Sequence, residues 1–326
     1  MKNQIIACAK RFDADIVGFA PASRFAAKDS VFQIMPNVKT VIGLGFRVLR
    51  GIYRGVEEGT TYYQYTTMGV ENLEETVMPL ALINVSNLIE EAGFEALPQR
   101  KNPLILNETG ITNPEVDYTD VRTGVVAEHQ LDFVNCAVQC GLGERSIMGS
   151  VLNEEFGPFL RFCFILTDAE LEPTELVTPH LCDGCGECIK ACPGRAISAD
   201  GNLDTWRCAV YYNGANGSKN PFMPPDAFAD FDNRMDIING TAEFDTEGAK
   251  EILKNIYFYP PAKHFYRTSI CGRACDRACY IHLEEKGLLT RQFHKKFREK
   301  EDWKLSTTQF KTGMRDKEWN FGGGEK

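Results

Sequence analysis

Cys182-Asp183-Gly184-Cys185-Gly186-Glu187-Cys188-Ile189-Lys190-Ala191-Cys192-Pro193 is the stretch that decides how this chain is read. Its spacing is C-x2-C-x2-C-x3-C-P, in which three thiolates wrap one face of an iron–sulfide cube and the fourth, just before proline, points to a second cube. The run therefore predicts two [4Fe–4S] clusters, and so cysteines elsewhere to complete both. Cys208, in Trp206-Arg207-Cys208-Ala209, and Cys271, Cys275 and Cys279, in CGRACDRAC, supply them. Two-cluster logic assigns Cys182, Cys185, Cys188 and Cys279 to the first cluster and Cys192, Cys208, Cys271 and Cys275 to the second. Cys8, Cys136, Cys140 and Cys163 remain and read as core residues, the usual place for an unpaired thiol. A disulfide framework or structural zinc would also use many cysteines, but the zinc pattern of two separated C-x2-C pairs fits this run less well.

Outside that run, 326 residues suffice for two domains, or for one large domain carrying a smaller one. The formal net charge of −9 argues against general nucleic-acid or anionic-membrane binding. The charge is uneven: residues 286–318 hold ten Lys and Arg against five Asp and Glu, which leaves the rest at −14. No run of eighteen apolar residues marks a membrane span. The opening MKNQIIACAKRFDAD has neither a long apolar stretch before a small-residue cleavage site nor a twin arginine, so a cytoplasmic, reducing location is expected.

Residues 1–12 read as a short helix, and 14–20 and 38–49 as strands rich in β-branched residues. Helical spacing of apolar residues from Val70 to Ile89 predicts a helix over about 62–92, stopped by Gly93 and kinked or split at Pro79. A strand follows at 94–97, then a loop over 102–120, a helix near 131–140 stopped by Gly141, and a strand at 160–166. This alternation predicts an α/β or α+β core domain. The acidic, proline-containing segment 168–179 reads as a linker. The expected divisions are an N-terminal α/β cofactor and substrate domain over 1–172, a ferredoxin-like two-cluster module over 173–285 with an insertion at about 209–270, and a basic tail over 286–326. The insertion carries turn-like stretches, among them Pro260-Pro261, and could cover a cluster or line a substrate pocket.

Gly141-Leu142-Gly143 is an incomplete dinucleotide fingerprint behind a helix, and reads better as a glycine stop. HExxH, Walker and nucleophile-elbow motifs do not occur. The five histidines, at 129, 180, 264, 282 and 294, are scattered, with His129 closest to the glycine turn in sequence.

The block CAVQCGLGERSIMGSVLNEEFGPFLRFCFILTDAELEP, followed by the cysteine run, resembles the catalytic core of the reductive dehalogenase and epoxyqueuosine reductase superfamily. The shared pieces are Gly141-Leu142-Gly143-Glu144, Phe156-Gly157-Pro158 with Arg161, Thr167-Asp168 with Leu171 and Pro173, and Cys182 to Cys192. The helix ending IEEAGFEA is similar to the one that precedes this core in dehalogenases, and the resemblance covers about 65–279.

The resemblance implies a nitroreductase-like α/β domain that binds cobalamin with its lower ligand detached, beside one cluster. An organic substrate would be reduced above the cobalt, with a nearby acidic or phenolic group giving the proton. It implies that Gly141 and Gly143 help to hold the cofactor, with a catalytic part for Glu144 and Arg145. In the family an arginine often follows the turn after two or three residues, whereas here Arg145 follows Glu144 directly. The twin-arginine signal and the tRNA-binding repeat domain found in parts of the family are not in this sequence. The expected partners are a small organic substrate and a low-potential donor such as ferredoxin or flavodoxin. The alternative is an electron-transfer protein that serves a partner enzyme and holds no corrinoid.

Overall fold

The computed structural model describes residues 1–61, 63–100, 131–217, 220, 223–256 and 271–300. In chain order, α1 is Lys2–Arg11, β1 Ile16–Pro21, α2 Ser30–Ile34, β2 Thr40–Arg47, α3 Arg50–Glu58, α4 Tyr63–Thr66, α5 Met78–Glu91 and β3 Ala96–Gln99. Then follow α6 Phe133–Gln139, β4 Glu144–Arg145, β5 Val151–Leu152, β6 Leu160–Thr167, α7 Glu187–Ala191, α8 Thr205–Tyr212, α9 Arg234–Asn239, α10 Thr246–Lys254 and α11 Ala274–Glu285. The loop expected at 102–120, the Pro260-Pro261 turn and His129 lie outside the described residues.

β1, β2, β6 and β3 form one sheet in that order, each neighbouring pair antiparallel, with β4 and β5 pairing separately. The antiparallel pairing decides between the two expected classes in favour of α+β. Side chains alternate across the sheet. Ile42, Leu44 and Phe46 of β2 and Cys163 and Ile165 of β6 meet Ile5 and Ala9 of α1 and Leu82 and Val85 of α5. Val41, Phe164 and Leu166, one residue out of phase, meet Cys136, Ala137 and Cys140 of the α6 segment. Gly18 makes this second face flat enough, because a Cβ there would lie 2.0 Å from the Cys140 carbonyl oxygen. The segment 168–179 is irregular, as a linker should be, yet it does not run free: Thr174 N–H donates to the Phe19 carbonyl at 2.9 Å.

The helices obey their ends. Asp29, Asp132, Asp204 and Asp245 cap α2, α6, α8 and α10 by accepting a backbone N–H two or three residues on. Between α4 and α5 the chain winds as wider π-helical turns over Thr67–Glu71 and Leu73–Val77, and regular α-helix begins at Met78 with Pro79 in its first turn. Proline lacks an N–H and is tolerated only there, so the split expected at Pro79 is a change of helical winding. The sequence reading passed over α3, which has no apolar run of its own.

The expected boundary at 172 crosses a shared core. Val48, Tyr53, Val56, Tyr65 and Phe159 pack with Leu181, Cys188, Ile197, Tyr280 and Phe297 in one cluster. Its centre is an aromatic stack in which Phe159 lies 4.0 Å from Tyr53 and 4.3 Å from Tyr280 between ring centroids. The insertion instead has an apolar core of its own, built from Val210, Tyr211, Ile237, Ile238, Ile252 and Leu253 on α8, α9 and α10, with Cys271 at its edge. The described start of the basic tail is a packed strap: Phe297 is fully buried, and Arg298 is paired with the buried Glu57 carboxylate.

Candidate functional site

All twelve cysteines are free thiols. Gly184 and Gly186, both left-handed at φ 73° and 76°, turn the chain around Cys185, and glycine adopts this conformation without Cβ strain. Cys188 lies in the first turn of α7, which packs on α11, the helix that carries Cys275 and Cys279. The thiols gather in two groups. Burial pushes Cys279 up, and after Asp276 the charges that bear on it are those of Cys188, Cys182 and Cys185. Cys188 is pushed up to about 11 by burial and then by Cys185 and Cys182. Cys208 is pushed up to about 12 by burial first, with Cys271 and Cys192 also raising it, and Cys275 is raised by burial with Asp276, Cys271 and Cys208 adding to it. Thiols become metal ligands by losing their protons on metal uptake. Two sets of four thiols whose charges bear on one another fit [4Fe–4S] clusters by donor type and number. Cys185 is exposed, so the first set meets the surface, whereas Cys275 is half-buried.

The other cysteines lie elsewhere. Cys136 and Cys140 are buried in the core under α6 and Cys163 in the core on the opposite side of the sheet, while Cys8 packs at the edge of the latter.

The glycine turn holds protein. Gly141 is left-handed at φ 71°, and a Cβ there would lie 2.2 Å from the Glu175 carbonyl oxygen; at Gly143 it would lie 2.2 Å from that of Leu152. Both close approaches are to this chain's own backbone, which is what requires glycine at each position. Glu144 is buried, and its carboxylate accepts the backbone N–H groups of His180 at 2.6 Å, Leu181 at 3.0 Å and Cys182 at 2.7 Å. That geometry makes it an anchor for the start of the cysteine run. Arg145 is exposed and pairs with Asp132 at 3.4 Å, away from the thiols. Of the described histidines, His180 approaches Glu154 at 3.2 Å and His282 approaches Asp183 at 2.9 Å, both beside the first thiol set.

A cluster of phenols and guanidiniums faces the second set. Arg161, which the FGP segment places on β6, donates to the Tyr65 hydroxyl at 3.0 Å and pairs with Glu74 at 3.1 Å. Tyr53 and Tyr65 are buried with ring centroids 4.9 Å apart. Burial raises both phenols, while the Arg161 charge acts the other way. Arg273 pairs with Asp276 at 2.7 Å and donates to Ser150 Oγ at 2.7 Å, and its charge acts against the upward shifts of Cys275, Cys208, Tyr53 and Tyr65. The sequence flagged Arg161 alone. Tyr53, Tyr65 and Arg273 come from three separated segments with no shared spacing, so no motif could have joined them.

A 4Fe-4S binding domain is matched at residues 176–198. The tetrachloroethene reductive dehalogenase of Sulfurospirillum multivorans is 35% identical over 65 residues, 19% of this chain and 13% of that protein. The epoxyqueuosine reductase of Lactococcus garvieae is 28% identical over 95 residues, 29% of this chain and 27% of that protein. A solved catabolic reductive dehalogenase in complex with 3-bromo-4-hydroxybenzoic acid matches at a TM-score of 0.49 with 15% identity, over 93% of this chain and 38% of that one. This chain thus spans a minor part of the length of these curated relatives. It has homologues among both reductive dehalogenases and epoxyqueuosine reductases, and it carries an iron–sulfur domain. Among the described residues no helix is long and apolar enough to cross a membrane.

Proposed function

We propose that this chain is a two-cluster iron–sulfur reductase that accepts electrons at its exposed first thiol set and reduces a small organic acceptor beside the second. The observation that carries the reading is the cysteine run of the 4Fe-4S binding domain packed, through α7, against α11, which carries Cys275 and Cys279. The metal ligands would be Cys182, Cys185, Cys188 and Cys279 in one set and Cys192, Cys208, Cys271 and Cys275 in the other. Bound there, [4Fe–4S] clusters supply electrons singly, over a potential range that hydrogen bonding, charge and exposure decide.

The remaining chemistry belongs to side chains. Glu144 fixes the backbone that enters the first set. Tyr65 holds a proton at its hydroxyl, which stays neutral at physiological pH because burial raises it. Arg161 donates to that oxygen, orients it and is placed to stabilise a phenolate once the proton has been given to a reduced substrate. The aromatic stack around Phe159 keeps water from the phenols.

A base-off cobalamin is supported by the relatives alone. A pure electron carrier is the second reading, supported by the exposure of Cys185 at the surface. Anaerobic reconstitution separates these. The proposal expects about eight irons per chain, against about four for one cluster. A corrin spectrum after incubation with cobalamin would restore the corrinoid reading. Replacing Tyr65 by Phe keeps the packing and removes the proton, and should slow substrate reduction by roughly 10²–10⁴ with iron content unchanged. Full activity in Tyr65→Phe would overturn its assignment as donor.

A further inference from the structure

Tyr65 and Glu74 stand nine residues apart on one helical run, a separation of about two and a half turns at α-helical pitch, which would set them on opposite faces. Here they share a partner. The chain between them winds as the π-helical turns Thr67–Glu71 and Leu73–Val77, closed by hydrogen bonds five residues apart and so wider than α-helix. Both side chains thereby reach one guanidinium. Arg161 donates through one Nη to the Tyr65 hydroxyl at 3.0 Å, and its Nε pairs with Glu74 Oε1 at 3.1 Å. The other Nη donates to the Leu160 carbonyl at 3.1 Å, so every nitrogen of the fork is engaged. Glu75, the next residue, pairs instead with Arg100 at 2.7 Å.

π-helical turns are rare and concentrate at functional sites. Arg161 and Glu74 expose only 17% and 16% of their side chains, so water screens the pair little. A planar guanidinium held at Nε and at one Nη has the direction of its last nitrogen fixed.

We propose that Glu74 is the positioning residue of the phenol site: through Arg161 Nε it sets the orientation in which the guanidinium donates to the Tyr65 hydroxyl, and the π winding is what brings both side chains to that guanidinium. This deepens the reading proposed above, in which Tyr65 gives the proton, and rests on it. The carboxylate also balances charge. Arg161 by itself favours the phenolate, and Glu74 offsets it, so the hydroxyl keeps its proton until a reduced substrate takes it. The phenolate left behind then pairs with Arg161.

Tyr65 also has about it Tyr53 of α3, Tyr212 of α8, and Arg273 and Asp276 at the start of α11. These stay in place when Glu74 or Arg161 is replaced, so a difference between such variants reports the Glu74–Arg161 pair.

The test introduces Tyr65→3-fluorotyrosine, a more acidic phenol, into the anaerobically reconstituted full chain and follows its fluorine resonance against pH. Glu74→Gln, which removes the charge, should let this phenol ionise at lower pH. Glu74→Asp, which keeps the charge, should restore the titration at least in part. Arg161→Lys retains a positive charge without the fork and should move ionisation to higher pH, which keeps the test open if Glu74→Gln loses iron. A Glu74→Gln titration that coincides with the wild type, at wild-type iron content, would overturn the inference alone. Full activity in Tyr65→Phe would overturn the donor reading, and the positioning role with it.

Discussion

Glu144 Oε1 accepts the backbone N–H of Cys182 at 2.7 Å, which ties the turn after α6 to the first residue of the metal-binding run. The same carboxylate takes the N–H groups of Leu181 and His180. In Glu144→Ala these donors lose their partner, and each buried donor left unsatisfied costs about 1–3 kcal/mol. The expected result is a chain several kcal/mol less stable that loses iron from the first set sooner than from the second. Glu144→Gln, which keeps one acceptor oxygen, should fall between. Denaturant unfolding and iron-release kinetics check both.

Gly143 has no room for a side chain, since the Leu152 carbonyl stands 2.2 Å from where a Cβ would be. Forcing a methyl group into packed backbone typically costs about 1–3 kcal/mol. Gly143→Ala should therefore lower the unfolding midpoint of the metal-free chain. An unchanged midpoint in the metal-free chain would return this glycine to a cofactor role.

Glu57 of α3 is buried with Arg277 and also accepts from Arg298, so one carboxylate holds the cysteine-bearing α11 and the strap that carries Arg298. Breaking a buried pair by removing one partner costs about 3–5 kcal/mol, because the other charge stays buried and uncompensated. Glu57→Gln should show that loss. It should also expose the chain after Phe297 to trypsin at Arg298 and Lys300, which limited proteolysis reads directly.

Cys136, Cys140 and Cys163 are pushed up by burial. In the unfolded chain a thiol titrates near about 8.5. Above that pH the unfolded state sheds protons that the folded state keeps, so the unfolded state binds fewer and stability falls as pH rises. The metal-free chain should lose stability steadily above pH ~9, by thermal unfolding measured across pH, with a shallower slope in Cys163→Val. Serine at any of these three should leave iron content unchanged, whereas serine at Cys208 should reduce it or alter the cluster signal.

The cysteine run was legible in the sequence because ligand spacing is a local property: a few residues with two glycines among them impose the loop whatever surrounds it. The strands β1, β2 and β6 were legible for a similar reason, since a short run of β-branched and other apolar residues is written along each one. Their antiparallel pairing was not, because pairing joins Thr40 to Thr167 across more than a hundred residues. The π-helical turns before Pro79 were signalled by the proline alone.

By itself, then, the sequence determined the donor set: which thiols exist and how the first four are spaced. Only the tertiary structure decided what surrounds them. Gly141 and Gly143 follow from backbone packed against backbone, Glu144 from three N–H groups that a distant loop brings to it, and the Tyr53–Tyr65–Arg161 group from α3, the helix after it and a central strand converging on one core. Ligand spacing is encoded between near neighbours, whereas the charges and hydrogen bonds that set a cluster's potential come from residues made neighbours by folding.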